Sequence, residues 1–551
     1  LTGSPLLAKS SHIHELVGGA QEYREMNLFK VGIPCRPMAF VILLSLVGMS
    51  PAYADVPPSP EGEALRRQLT PSQPQNLPEP SEDLSPLNPN PNPLNLPTAP
   101  TEVTIDLSKP ITLQQALILA QRNNRDLQVT ALDVQRAQAS LDEARADRLP
   151  QVAVEGSINR SQTIADSEDV LPPGSNTAQA TAQANFDVFT AGQRPASIQA
   201  ARESLLASEL DYKTQLWTLQ LDVTNDYYDL QQADGLVQIA AAARDNARDS
   251  LRDTVALEQA GLGTRFDVLR AQVQLADREQ QLTQAKSQQE VSRRQLAQRL
   301  SLADQATLTT ADPVQEVGQW PLSLEESITT AQSYRAELAA VVSEREISLL
   351  NRKIVKGSLG PLFSVSGSVS ATGNLQDSVS DSIFGTPSNP TGDIGYSVGG
   401  TLSKTLFDGG ATKAQIRQQE VNTQIADTQF ANTKNVIRFQ VEQNYFSALS
   451  SLQNIDTNRK AVEQAKESLR LARLRFKEGV GTQLEVSNEE TALTRAESNL
   501  LQAVIDYNRA LVGLQRFVAN PSLVLQPLPN AKPIEFTSTQ EESNLQEPTL
   551  P

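Results

Sequence analysis

The chain repeats itself. Ser250-Leu251-Arg252 returns as Ser468-Leu469-Arg470, a displacement of 218 residues. The same displacement carries Val223 to Val441, Tyr227 to Tyr445 and Gly261-Leu262-Gly263-Thr264 onto Gly479-Val480-Gly481-Thr482. It also takes Phe189 and Gly192 to Phe407 and Gly410, with no gap. Nearer the N-terminus the displacement is 211, from Leu113 to Leu324, Ala120 to Ala331, Leu127 to Leu338 and Pro150 to Pro361. The difference must fall between about 150 and 189 in the first copy, and because insertions collect in loops, a loop is expected there. Whatever one unit builds, the other should build too.

Each unit changes its hydrophobic period twice. A helical stretch, Leu113–Arg148 or Leu324–Lys356, runs into the proline at 150 or 361. Period two follows: Val152, Val154 and Ile158, then Ala178 through Phe186 and Val188 at every second residue. The second unit alternates Phe363, Val365 and Val369, then Ile394, Tyr396, Val398 and Leu402, with serine and threonine between. These predict four strands of about 10–12 residues, the length a tilted strand needs to cross a bilayer. Proline then disappears from Ala411 to Glu478, and from Ala196 to the matching turn at Gly261. Alanine, glutamine, leucine, arginine and glutamate dominate there, with Tyr212, Leu216, Leu219, Val223, Tyr227 and Leu230 three or four apart. Such a helix would be about 100 Å long and needs coiled-coil neighbours along its whole length. After the glycine turn a second helix, Thr264–Leu300 or Thr482–Val518, returns antiparallel.

Four amphipathic strands cannot close a barrel, and an open sheet in lipid would leave its edges unsatisfied. The strand count therefore predicts a homo-oligomer, with two, three or four copies supplying the missing strands. Two readings compete with a channel. A periplasmic coiled-coil adaptor or structural protein would have no barrel, and it leaves the strands of membrane length unexplained. A general porin would hold all its strands in one chain and have no use for long helices.

The flanks read as address and tether. Residues 1–25 precede a better start at Met26 and are expected to be untranslated. Lys30 and Arg36, the apolar run Met38–Met49 and Ala52-Tyr53-Ala54 make 26–54 a secretory signal peptide, cleaved between Ala54 and Asp55. Residues 55–110 are rich in proline and predict a disordered, polyproline-like spacer. Units at 111–311 and 321–520 follow, and 521–551 is a polar tail expected to be loosely ordered. Both histidines, the only cysteine and all three methionines precede residue 55. The exported chain thus lacks imidazole and thiol, which removes triad and Cys-His catalysis, structural zinc and disulfides. A net charge of −17 gives nucleic acid no basic footprint to bind. No enzyme activity, cofactor or metal is expected.

The two-unit layout, the strand-to-helix corners Phe189-Thr190-Ala191-Gly192 and Phe407-Asp408-Gly409-Gly410, and the glycine tips resemble the TolC-type outer-membrane efflux and secretion channels over residues 111–520. The resemblance implies an α+β membrane protein: a homotrimer with a twelve-stranded barrel in the outer membrane of a Gram-negative-type envelope, continued by a helical tunnel through the periplasm. It implies contact with outer-membrane lipid, a periplasmic adaptor and an inner-membrane pump, ABC-type or proton-driven, so that the duct itself is passive. It also implies that Gly261, Leu262, Gly263, Thr264 and Gly479, Val480, Gly481, Thr482 dock the adaptor. Asp267 and Glu485 match acidic positions near the family's periplasmic constriction, although Asn488 stands where a second carboxylate is often found. From the residues alone, Thr264 with Asp267 and Thr482 with Glu485 also read as capping boxes. Tyr227, Tyr445 and Phe446 are expected to pack between helices.

Overall fold

The computed structural model describes residues 84, 87–92, 94, 96–100, 107–161, 175–303, 306–375, 392–528 and 533–534. The signal peptide with its Ala54–Asp55 junction, and most of the spacer and tail, lie outside the described residues.

The two units share the order helix, helix, strand, strand, helix, helix, and the first adds a short strand at each end. In the first, β1 (Leu107–Ile111), α1 (Leu113–Asn123) and α2 (Arg125–Ala146) precede β2 (Gln151–Ser161), β3 (Ser175–Phe189), α3 (Gln193–Gln259), α4 (Arg265–Arg299) and β4 (Ala306–Thr310). In the second, α5 (Leu324–Tyr334) and α6 (Ala336–Gly357) precede β5 (Leu362–Leu375), β6 (Gly392–Ser403), α7 (Ala411–Lys477) and α8 (Gln483–Val518). Helices α3 and α7 are each 67 residues long, which is about 100 Å at the rise of an α-helix.

Two details depart from the sequence reading. The helix expected over Leu113–Arg148 breaks at Asn124 and its counterpart breaks at Arg335, both residues being extended. Asn124 gains from the break: its side chain accepts from the Leu127 N–H at 2.9 Å and donates to the Arg299 carbonyl at 3.1 Å. Strands β3 and β5 run 15 and 14 residues, longer than expected.

Strand order is β2-β3-β5-β6, all antiparallel. The register puts Val154, Ala182, Val369 and Tyr396 in one cross-strand row, and Val152, Ala184, Gly367 and Val398 in the next but one. Because side chains alternate across a pleated sheet, the alternate rows are mainly polar: Ala153, Gln183, Ser368 and Ser397 form the row between them, and Glu155, Thr181, Ser370 and Gly395 the row beyond. One face is thus apolar and the other carries hydroxyls and amides, with Ser368 and Ser397 hydrogen-bonded at 2.9 Å. The apolar face is bare within the chain, with Val154, Ile158, Ile394 and Tyr396 all more than three-quarters exposed.

At each corner the chain turns from strand to helix through successive positive φ values, Ala191 (49°) and Gly192 (85°), then Gly409 (67°) and Gly410 (89°). Nothing crowds those three glycines, so backbone conformation rather than space selects them. Asp408 helps set the second corner by accepting from Gly410 and Thr412 N–H groups at 2.9 and 2.7 Å.

A belt covers one face of the helical layer midway along it, and most of it was not foreseen. Strand β1, inside the stretch assigned to a disordered spacer, pairs in parallel with β4. Within the same stretch Leu84 and Leu87 are buried, and the Leu87 carbonyl accepts from Ala303 at 3.2 Å. The start of the tail assigned as loose is also attached, since Gln526 bridges to Gln319 and the Ile534 N–H donates to the Val314 carbonyl. Short apolar pieces between prolines fold here because the helices offer them a finished surface. Tyr227 (1 % exposed) holds the belt to α3 by donating to Asp312 at 2.7 Å, and Tyr507 holds it to α8 by donating to the Gly318 carbonyl at 2.7 Å. Burial, with Asp312 beside it, pushes the Tyr227 hydroxyl well above its ordinary pKa.

Candidate functional site: the hairpin tips

Both helical hairpins end in the same turn. The N–H groups of Leu262 and Gly263 donate to the Leu257 carbonyl at 2.9 and 3.0 Å, and those of Val480 and Gly481 donate to Arg475 at 3.0 Å each. Gly261 (φ 76°) and Gly479 (φ 73°) take the left-handed conformation that ends a helix at least cost. Gly263 and Gly481 serve differently: a Cβ on either would lie 3.1 Å from backbone atoms of the preceding helix. Thr264 and Thr482 start the return helices by accepting from Asp267 and Glu485 N–H groups, each at 3.2 Å.

Only half of each expected capping box forms. The Asp267 carboxylate instead receives the Thr264 hydroxyl at 2.5 Å, and the Glu485 carboxylate lies 4.0 Å from Arg475. Both acids remain partly exposed beside the turn.

The tips present apolar side chains to solvent. Leu262 is 79 % and Val480 70 % exposed, and Phe266 and Leu484, two residues past each threonine, add to the same patches. The sequence reading missed Phe266 and Leu484, although a large apolar residue two places after the cap in both units is a signal it could have used. Arg270 stacks over the Phe266 ring at 4.7 Å, a cation–π contact that holds the ring without covering it.

Just behind the tips, polar contacts tie the two hairpins together. Arg473 of α7 donates to Asn246 of α3 at 2.9 Å and to Glu490 of α8 at 3.1 Å. Lys477 faces Asp253 at 3.7 Å, Gln483 donates to Ser250 at 3.3 Å, and Arg278 donates to Thr491 at 2.7 Å. Glu490 is 4 % exposed. Burial raises its carboxyl pKa, with Arg473 and Arg278 pulling the other way. These contacts join α3 and α4 to α7 and α8, so they resist any splaying of one hairpin from the other.

The model of the family described as outer membrane efflux protein matches residues 116–301 and 328–520. The chain belongs to that family. Among its curated relatives, the pyoverdine export outer membrane protein OpmQ of Pseudomonas aeruginosa is 25 % identical over 422 residues, 73 % of this chain and 83 % of the relative. The outer membrane protein TolC of Escherichia coli is 22 % identical over 415 residues, 73 % and 80 % of the two chains. Among solved structures, VceC of Vibrio cholerae superimposes with a TM-score of 0.61 at 18 % identity, covering 74 % of this chain and 95 % of that one. CusC gives 0.63 at 18 % identity, covering 80 % and 99 %. This outer membrane efflux protein therefore has the chain fold of those channels, long helices joined to a sheet of strands, and the matched spans lie within residues 111–311 and 321–520.

Proposed function

We propose that three copies of this outer membrane efflux protein close a twelve-stranded barrel and a helical tunnel, forming the passive exit duct of a tripartite efflux or secretion system. One observation carries the reading: a four-stranded sheet with one apolar and one polar face, whose two end strands, β2 and β6, each have a free side. Its apolar face suits lipid and its polar face suits water, provided β6 of one copy pairs with β2 of the next. The exposed flanks of the helical layer fit the same closure. Val129 and Leu132 on α2 and Val273 and Val291 on α4 lie bare on one flank, and Ile425 and Phe439 on α7 lie bare on the other.

The tips at Gly261–Thr264 and Gly479–Thr482, enlarged by Phe266 and Leu484, would dock a periplasmic adaptor linked to an inner-membrane pump. Asp267 and Glu485 would ring the periplasmic constriction, where like carboxylates hold cations and repel anions. The contacts between hairpins, Arg473 with Asn246 and Lys477 with Asp253, would yield when the tips are drawn apart.

The test is the oligomeric mass of the protein extracted by detergent from outer membranes, followed by conductance in planar bilayers. Three protomers forming discrete pores is the expected result, and a soluble monomer would overturn the reading. Glu485→Ala should raise conductance if Glu485 lines the constriction. Unchanged conductance would leave it with the local contacts described above.

A further inference from the structure

Helix α8 packs against both α3 and α7, and over it, between those two, lies a recess of about 850 Å³. Its apolar floor is Leu221, Ala510 and Phe517, and Asn225, Asn444 and Ser447 line its sides. Gly513 lets the Asn444 side chain of α7 lie directly against α8, since a Cβ there would collide with it.

The charges do not balance. Asp229 and Asp506 both border the recess, and Arg509 is the only basic residue in its lining. The guanidinium pairs closely with Asp229, pairs more loosely with Asp506 at 3.6 Å and donates to Gln232 at 3.3 Å, while Asp506 also accepts from Gln502 at 2.7 Å. Within the lining two carboxylates therefore share one guanidinium beside a polar wall, while the Phe517 ring is already in contact with Arg335 and Arg516, whose charges Glu337 meets. Burial also raises the Asp229 carboxyl pKa against the pull of Arg509, so added positive charge is welcome on that side too.

The recess faces away from the belt. On α8 the neighbouring residues Tyr507 and Asn508 point to the belt, donating to the Gly318 and Gln315 carbonyls. On α3, Tyr227 and Gln231 do the same through Asp312. Resting on the channel reading, the belt must lie outside the ring, since inside it would block the bore. The recess then opens into the water-filled tunnel.

We propose that this recess is a binding station for amphipathic organic monocations, repeated in each protomer and used by cargo in transit. Its volume lies within the range of small-molecule sites. An apolar body would rest on Leu221, Ala510 and Phe517 while the cationic centre lies by Asp506, and the opening to the bore keeps such binding weak enough for release.

The test uses the detergent-solubilised full protein, with its oligomeric mass measured first. Titration with tetraphenylphosphonium should saturate, and the neutral, similarly shaped triphenylphosphine oxide should bind more weakly. Asp506→Asn leaves the Arg509–Asp229 pair in place and should weaken the cation about fivefold, the size of one partly exposed charge contact. Ser447→Leu should weaken both ligands by filling the wall. A trimer that binds the cation no better than the neutral compound, or whose binding ignores both substitutions, overturns the station. A monomer that still binds the cation in an Asp506-dependent way would overturn the channel reading and keep the recess.

Discussion

Tyr228 and Phe446 occupy the same place in the two units, yet Tyr228 is 3 % exposed and Phe446 is 56 % exposed. The helices that carry them, α3 and α7, match in length, corner and terminal turn. Along its length α3 buries 22 residues and α7 only 9. The cause is position. Helix α3 is flanked on both sides by its own chain, with α2 and α4 on one side and α6 and α8 on the other. Helix α7 touches α5, α6 and α8, and its buried residues Val441, Ala448, Ile455, Val462 and Leu469 form a single stripe repeating every seven. An unfinished coiled coil needs a second seam, and on α7 the apolar residues for it, among them Ile425, Phe439 and Phe446, face solvent, with Phe446 also at the edge of the recess described above. The two helices are equal in length, and the proposed assembly is what would make their surroundings equal.

The comparison breaks most visibly by charging the matched ring positions. Tyr228→Glu places a carboxylate in a buried site near Asp312, where the one neighbouring guanidinium, Arg509, already pairs with Asp229, and should cost the protomer about 4 kcal/mol or more. Phe446→Glu should leave the protomer's far-ultraviolet melting curve almost unchanged and abolish the trimer in sedimentation. If Phe446→Glu assembles normally, the second seam of α7 is not a subunit contact.

The next effect lies where α3 and α7 are joined. Arg335 makes a two-point contact with Glu337 at 2.9 Å and donates to Gln440 of α7 at 3.0 Å, while Arg516 donates to Glu337 at 2.6 Å and to Thr218 of α3 at 3.1 Å. Both arginines are nearly fully buried. Burial pushes the Glu337 carboxyl up, but Arg516 and Arg335 more than reverse this and hold it down to about 2. With its folded pKa below the unfolded one, Glu337 contributes stability above about pH 4.5, lost as pH falls toward 2. Glu337→Gln should cost about 3 kcal/mol at neutral pH by leaving two buried cations with no carboxylate, and the gap to wild type should narrow as the pH of the melt is lowered through that window. A gap that does not change with pH would assign the loss to packing.

Between the tips, Arg473→Ala removes the contact to Asn246 and strips Glu490 of its nearest cation. It should loosen the hairpins from each other and raise single-channel conductance, with a smaller fall in stability than Glu337→Gln. Conductance equal to wild type would mean that these contacts do not restrain the pore.

The long helices, corners, tips and alternating strands were legible because each rests on local chemistry: period, glycine at positive φ, threonine at a helix start. The belt was not. Leu84, Leu87, β1 and Gln526 belong to segments whose composition argues against folding, and they are ordered by surfaces more than a hundred residues away. Phe446 failed for the opposite reason. Its period marks it as a packing residue, and period alone does not say whether the partner is in the same chain. The break at Arg335 hid because its compensation, Glu337 with Arg516, joins residues far apart in sequence.

The smallest effects should come from the helix starts, where the two units are most alike. Thr264 and Thr482 each satisfy one N–H of the return helix, and neither carboxylate completes the box. Thr264→Ala and Thr482→Ala should therefore each cost about 1 kcal/mol, and the costs should be equal within a few tenths. Because the two caps share no hydrogen-bond partner, the double variant should lose the sum. Hydrogen exchange at the N–H groups of Asp267 and Glu485 reads the same event locally: each should speed up only in its own variant. Equal losses would show that the asymmetry between the units resides in the flanks of α3 and α7 and stops short of the turns. A larger loss at Thr482, whose helix α8 buries far more of its length than α4, would carry the asymmetry down to the tips.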